Sequence, residues 1–194
     1  MLLPIAKKSD HRRGTENLVF EEKTVSSETV YNGHIINVHV DTVAMPDGKT
    51  AFRDIVDHPG GVGILAFTDD NKIILVKQFR KPIEKAIFEI PAGKIDRGEE
   101  PLKCGIRELE EETGFKAKEF IPLGYMYPSP GFTNEVTYAF MARGLYKGTL
   151  NPDEDEYLDI EAFEIDEVKK MIMNNEINDA KTVFAFFKGL ELLK

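Results

Sequence analysis

The sequence predicts an α/β fold preceded by a small antiparallel β-sheet, and three observations predict it. Two runs, 62–68 and 72–78, are dense in Val, Ile and Leu without polar alternation, the pattern of strands covered on both faces. Helical spans follow at 99–113, 165–174 and 179–193. Upstream, Ile36, Val38 and Val40 alternate with Asn37 and His39, the period of a strand with only one face buried.

Taken in order, the β pattern begins near Lys23 and continues to Asp57. Pro46, Asp47 and Gly48 form a turn, because proline presets φ and glycine accepts φ > 0. A strand at 50–56 follows, and three such strands bury little by themselves, so they need another surface to pack on. His58-Pro59-Gly60-Gly61 marks a boundary, and the two apolar strands beyond it are joined at Asp69-Asp70-Asn71. A short apolar strand at 86–90 leads into Pro91-Ala92-Gly93. The helix at 99–113 has Pro101 in its first turn and Gly114 just past its end, the usual asymmetry of helix termini. Strands near 119–126 and 135–142, an acidic loop at 148–159 and the two closing helices complete the chain. Residues 1–22 read as a mobile N-terminal arm, 23–58 as an N-terminal β-sheet and 59–194 as the main domain.

Composition removes several function classes. A chain of 194 residues is long enough for a sizeable core. The single cysteine, Cys104, excludes a disulfide framework and a cysteine-rich zinc site, and it suits a reducing, cytoplasmic setting. No apolar run approaches the ~20 residues of a membrane helix. A net charge of −9 argues against binding the nucleic-acid backbone, but acidic clusters hold Mg²⁺ and so admit metal-bridged phosphates. Cys104 has no histidine near it in sequence and reads as packing. His34 and His39 read as solvent-facing strand residues.

The chemistry concentrates in 93–115, GKIDRGEEPLKCGIRELEEETGF. On a helix Glu108, Glu111 and Glu112 fall at i, i+3 and i+4 and share a face, where like charges repel. A hard divalent cation is the natural candidate to offset that repulsion, and the alternative for these glutamates taken alone is an ordinary solvated acidic face. Arg107 is expected on a different face from Glu111, tying the helix to the preceding loop through Glu99. Leu102, Ile106 and Leu109 form the apolar side and are expected to face the core.

This segment resembles the Nudix box, Gly-x5-Glu-x7-Arg-Glu-U-x-Glu-Glu-x-Gly-U, with U a bulky apolar residue. Gly93, Glu99, Arg107, Glu108, Leu109, Glu111, Glu112, Gly114 and Phe115 fill every specified position. Outside the box the chain is similar to the ADP-ribose pyrophosphatase group of Nudix hydrolases. Pro130 stands sixteen residues after Gly114 within Ser129-Pro130-Gly131-Phe132. Gln78-Phe79-Arg80, Glu89-Ile90-Pro91-Ala92-Gly93 and the acidic stretch Asp153-Glu154-Asp155-Glu156 also match.

The resemblance implies the Nudix α/β/α sandwich with a mixed sheet, and a homodimer in which the N-terminal strands pair or swap between subunits. It implies hydrolysis of ADP-ribose to AMP and ribose 5-phosphate with Mg²⁺, Mn²⁺ being an alternative. Glu108 and Glu112 would be the principal metal ligands, with Glu111 a further ligand or an orienter of water and the Ala92 carbonyl another ligand. Arg107 would orient the box glutamates. Glu154 or Glu156 would activate or position water. Arg80 matches a phosphate contact, and a planar fork suits phosphate. Arg53 matches a substrate contact often made across a dimer, or is a surface ion pair. Glu89 contacts the terminal ribose or a metal, or is a strand-end carboxylate. Pro130, Gly131 and Phe132 would line the substrate, with Tyr31 or Phe132 available to stack on the base where His34 replaces an aromatic. Two other readings are another substrate, such as a different nucleoside diphosphate sugar or a dinucleoside polyphosphate, and a nucleotide-binding module without turnover.

Overall fold

The computed structural model describes residues 21–152 and 157–193. The predicted arm, apart from Glu21 and Glu22, lies outside the described residues, as do Glu154 and Glu156.

Three antiparallel strands, β1 (Lys23–Asn32), β2 (Asn37–Ala44) and β3 (Thr50–Asp57), form the first sheet in sequence order. Met45 and Gly48 close the β2–β3 turn through a 2.9 Å bond, with Gly48 at φ 82°. This sheet is thinly covered: every residue of β1 is exposed, and so are Ile35 and Phe52.

The second sheet is mixed. Its strands are β4 (Gly61–Phe67), β5 (Ile73–Arg80), β6 (Lys85–Glu89), β7 (Ala92–Lys94), β8 (Phe115–Met126), β9 (Thr137–Lys147) and β10 (Asp159–Phe163). The order along the main path is β10-β5-β4-β9-β8, with β4 and β9 parallel and the other pairs antiparallel. Next to their connecting turn β4 and β5 pair directly, at Ala66–Ile74 and Phe67–Ile73. Further out they part company, β4 pairing with β7 at Gly61–Gly63 and β5 with β6 from Val76 to Arg80. This divergence opens the sheet where the box begins.

Helix α1 (Pro101–Thr113) covers one face and α2 (Ile165–Met173) with α3 (Ala180–Leu192) the other. Alternate residues of β4 divide between the two layers. Val62, Ile64 and Ala66 pack with Cys104, Leu109 and Phe140, whereas Leu65 and Phe67 pack with Val168, Ile172 and Phe186. The predicted two-face burial of these strands follows from this sandwich.

Helix α1 starts at Pro101 and stops at Gly114, which adopts φ 69° and donates its N–H to the Glu110 carbonyl at 2.8 Å. Its buried face is Cys104, Gly105, Leu109, Glu112 and Thr113. The expected apolar side is therefore corrected: Leu109 is buried, but Leu102 and Ile106 are each 42% exposed. Residues two apart are separated by about 200° around a helix, so the 102/106 row lies opposite the 104/108/112 row. Strand β10, which the acidic loop hid, is a five-residue edge strand whose Ile160 and Phe163 pack into opposite cores. His34 lies in the 33–36 turn rather than on a strand, and His39 is half-buried on β2, 2.7 Å from Asp41.

Candidate active site

Strand β7 and helix α1 hold the box carboxylates together. Oε2 of Glu112 accepts the Ala92 N–H at 2.9 Å, and Glu112 is 1% exposed. One residue further along β7, the Glu108 carboxylate lies against the Cα of Gly93. A Cβ at that position would overlap its Cδ and Oε1. Glycine is needed there because another side chain's carboxylate occupies the space. Two acidic groups of one helix row thus grip consecutive residues of one strand.

Arg107 is the local counter-charge. It holds Glu99 with two bonds of 3.0 Å, as expected, and also donates to Glu108 at 2.7 Å and Glu111 at 2.9 Å. The expected separation of Arg107 from Glu111 is corrected, since residues four apart are neighbours on a helix. The Arg107 guanidinium beside Glu99 holds its carboxyl at about 2. Burial, with Glu108 and Glu99 nearby, pushes the Cys104 thiol up, so it is inert packing rather than a nucleophile.

A second ion cluster is centred on the buried Glu89 at the end of β6. Arg80 donates from Nε and Nη2 to Glu89 at 2.6 and 2.7 Å, and the Lys181 ammonium also donates to Glu89. Burial pushes the Glu89 carboxyl up, but Arg80 and Lys181 outweigh it, and the group ends below its usual range. Lys181 arrives because Asp179 caps α3, accepting from the Thr182 N–H at 2.9 Å. The Thr182 hydroxyl in turn accepts the Ile90 N–H at 2.9 Å, pinning the first turn of α3 to the end of β6.

Between these groups lies a cleft of about 350 Å³, lined by Arg80, Ala92, Gly93, Glu135, Thr137 and Lys181. It shares Ile35, His58 and Lys94 with a neighbouring cavity of about 410 Å³ that reaches His34. A larger cavity, about 560 Å³, lies outside α1 along Ile106 and Glu110 and is lined by neither Arg80 nor the two buried carboxylates.

The structure places Arg80 and Ala92 on the cleft, with Glu89 bonded to Arg80, Glu112 to Ala92 and Glu108 against Gly93; Arg107 bonds Glu108 and Glu111 and, with Glu111, lines the cavity outside α1. Pro130, Gly131 and Phe132 lie in the loop before β9, with Phe132 54% exposed and its carbonyl accepting from Val56 N–H at 2.7 Å. Arg53 is not among the residues lining the cleft; its fork holds Glu22 at 2.6 and 2.8 Å on the first sheet. Sequence reasoning missed Lys181 and Glu135. A cation in the first turn of a helix opposes the helix dipole, and that misfit was the available signal for Lys181; Glu135 carried none.

The donor set fits a hard divalent cation. It consists of carboxylate oxygens and a backbone strand, with a glycine cradle kept free for one of the carboxylates. Among the described residues no three His, Cys, Asp or Glu side chains stand in a metal-ligating cluster, Arg107 engaging Glu108 and Glu111 instead. Glu112→Gln and Gly93→Ala address different parts of this arrangement. For Gly93→Ala, displacement of the Glu108 carboxylate is expected to lower turnover about 10- to 100-fold, with the thermal midpoint little changed; paired rate and melting measurements check this.

Comparison with known proteins agrees with this geometry. Residues 57–186 match the NUDIX domain, and residues 22–61 match the nucleoside diphosphate sugar hydrolase N-terminal domain. The chain is 45% identical over 167 residues to the ADP-ribose pyrophosphatase of Bacillus subtilis (strain 168), covering 85% of this chain and 90% of that one. It is 44% identical over 169 residues to the methanol dehydrogenase activator of Bacillus methanolicus, covering 86% and 91%. A solved ADP compounds hydrolase shares the fold with a TM-score of 0.80 at 24% identity, over 89% of this chain and 94% of that one. No described helix is long and apolar enough to cross a membrane. With its complete box folded around β7 and these relatives along most of its length, the chain belongs to the Nudix hydrolase family.

Proposed function

We propose that this protein hydrolyses the pyrophosphate of ADP-ribose to AMP and ribose 5-phosphate, using Mg²⁺ or Mn²⁺. The observation that carries the reading is the juxtaposition at β7: Glu108 and Glu112 on Gly93 and Ala92, with Arg80 and Lys181 lining the same cleft. The relative named ADP-ribose pyrophosphatase supports the substrate.

Glu108, Glu112 and the Ala92 carbonyl would hold the cation, with Glu111 a further ligand. A cation held by these residues would supply neutralisation of phosphate oxygens and a lowered pKa for a water. Arg107 keeps Glu108 and Glu111 in place and is itself anchored by Glu99. Arg80, aimed by its two bonds to Glu89, presents the remaining edge of its guanidinium to a phosphate. One P–O bond of the pyrophosphate breaks as the water oxygen joins a phosphorus, and the water's proton passes to a carboxylate, the role assigned to Glu154 or Glu156.

The protein would work as a homodimer through its first sheet, where Val25, Val30, Tyr31 and Phe52 are 56–74% exposed. In that assembly Arg53 would serve the partner's cleft, and residues 23–58 would be the dimerisation region. The lone, buried Cys104 suits the cytoplasm. A second reading, another nucleoside diphosphate sugar, is favoured by the match at residues 22–61. Comparing kcat/KM for ADP-ribose, GDP-mannose and a dinucleoside polyphosphate separates the two. ADP-ribose should lead by at least about tenfold, the difference that one well-placed polar contact makes; a lead for GDP-mannose would replace the first reading with the second.

A further inference from the structure

The loop at 129–136 joins the first sheet to the cleft through backbone bonds and through the side chain of Asn134. Asn134 donates from Nδ2 to Oδ1 of Asp57 at 2.6 Å and accepts the His58 N–H on Oδ1 at 2.9 Å. Its own N–H donates to the Val56 carbonyl at 3.3 Å, and the Val56 N–H donates to the Phe132 carbonyl at 2.7 Å. Val56 and Thr133 form an isolated parallel bridge. Three consecutive residues, Val56 and Asp57 at the end of β3 and His58 in the connection that follows, are therefore bonded to one loop.

Asp57 is itself backed from the first sheet. His39 Nε2 lies 3.4 Å from its second oxygen, and His39 Nδ1 lies 2.7 Å from Asp41. On the other side, the residue after Asn134 is Glu135, which lines the cleft and accepts from the Thr137 hydroxyl at 3.2 Å. An amide offers a donor and an acceptor side by side without charge, which suits the Asp57 carboxylate and the His58 N–H together. Aspartate in its place would set two carboxylates against each other.

We propose that Asn134 is a positioning residue for substrate: it clamps the 129–136 loop to the junction of the two sheets and so fixes Glu135 and Pro130–Phe132 relative to the cleft. The inference rests on the reading of that cleft as the ADP-ribose site. It also means that the first sheet, through Asp57, sets the loop that meets substrate.

The test uses the full chain as wild type, N134A, N134D and the N134D/D57N double variant, in which amide and carboxylate change places. Losing one hydrogen bond to a charged group corresponds to about tenfold in binding. N134A and N134D should therefore raise KM for ADP-ribose about tenfold, with kcat within about twofold. Amide hydrogen exchange at 129–136 should quicken in both, and N134D/D57N should recover both KM and protection. Unchanged exchange in N134D, or a double variant no better than N134D, overturns the clamp. A wild type that does not turn over ADP-ribose overturns the substrate reading instead, while the exchange data still decide the clamp.

Discussion

Glu112→Gln is expected to lower kcat by about 10²- to 10³-fold while leaving the fold intact, the loss corresponding to several kcal/mol of charge stabilisation at a metal site. The reason is local. Glutamine keeps the shape of a side chain that is 1% exposed and keeps an oxygen to accept the Ala92 N–H. What it loses is one negative charge beside Glu108, and with it the attraction for a cation. Steady-state rates across a metal titration, paired with thermal denaturation, check both halves. A kcat like that of the wild type would remove the box from the mechanism.

Glu89→Ala should have the largest effect on stability, about 3 kcal/mol, because removing one partner leaves buried charges uncompensated. Glu89 is 1% exposed and carries both Arg80 and Lys181, whose side chains are 40% and 17% exposed. Their partial access to water places the loss toward the lower end of what such deletions cost. The pH dependence has a definite sign. The folded carboxyl lies below its ordinary 4.5, so its contribution is fully present above that value and disappears as pH falls through the lower, folded one. Urea unfolding of the wild type should accordingly weaken below about pH 4.5, and the part due to Glu89 should be missing from the variant's acid limb. Equal midpoints for the two proteins at pH 7 would show that the cluster contributes nothing net.

Local rules account for what the sequence disclosed. Pro101 and Gly114 mark the ends of α1 within two residues, because capping chemistry is written in adjacent positions. The two apolar strands became the buried centre of the sheet for the reason their composition gave. Glu108 and Glu112 were readable as a pair from helical spacing. What spacing could not show was their grip on Gly93 and Ala92, nor that β4 and β5 diverge to admit β6 and β7. These are contacts between distant segments, invisible to periodicity. Lys181 belongs to the same class: it reaches Glu89 across 92 positions only because Asp179 and Thr182 dock α3 at that strand end. Leu102 and Ile106 show the opposite failure, in which apolar character is present but the buried side of α1 is set by Cys104 and Leu109. Strand β10 escaped because five residues beside an acidic loop give periodicity too little length to register.

Carboxylates folded around β7 are proposed to recruit a divalent cation for the cleavage of a pyrophosphate. The most direct measurement follows AMP and ribose 5-phosphate released from ADP-ribose by the purified chain, first with Mg²⁺ and then with excess chelator. The two products should form in equal amounts with Mg²⁺ or Mn²⁺, and the chelator should abolish both. Release that persists in chelator, or none from folded protein with either metal, would contradict the proposal.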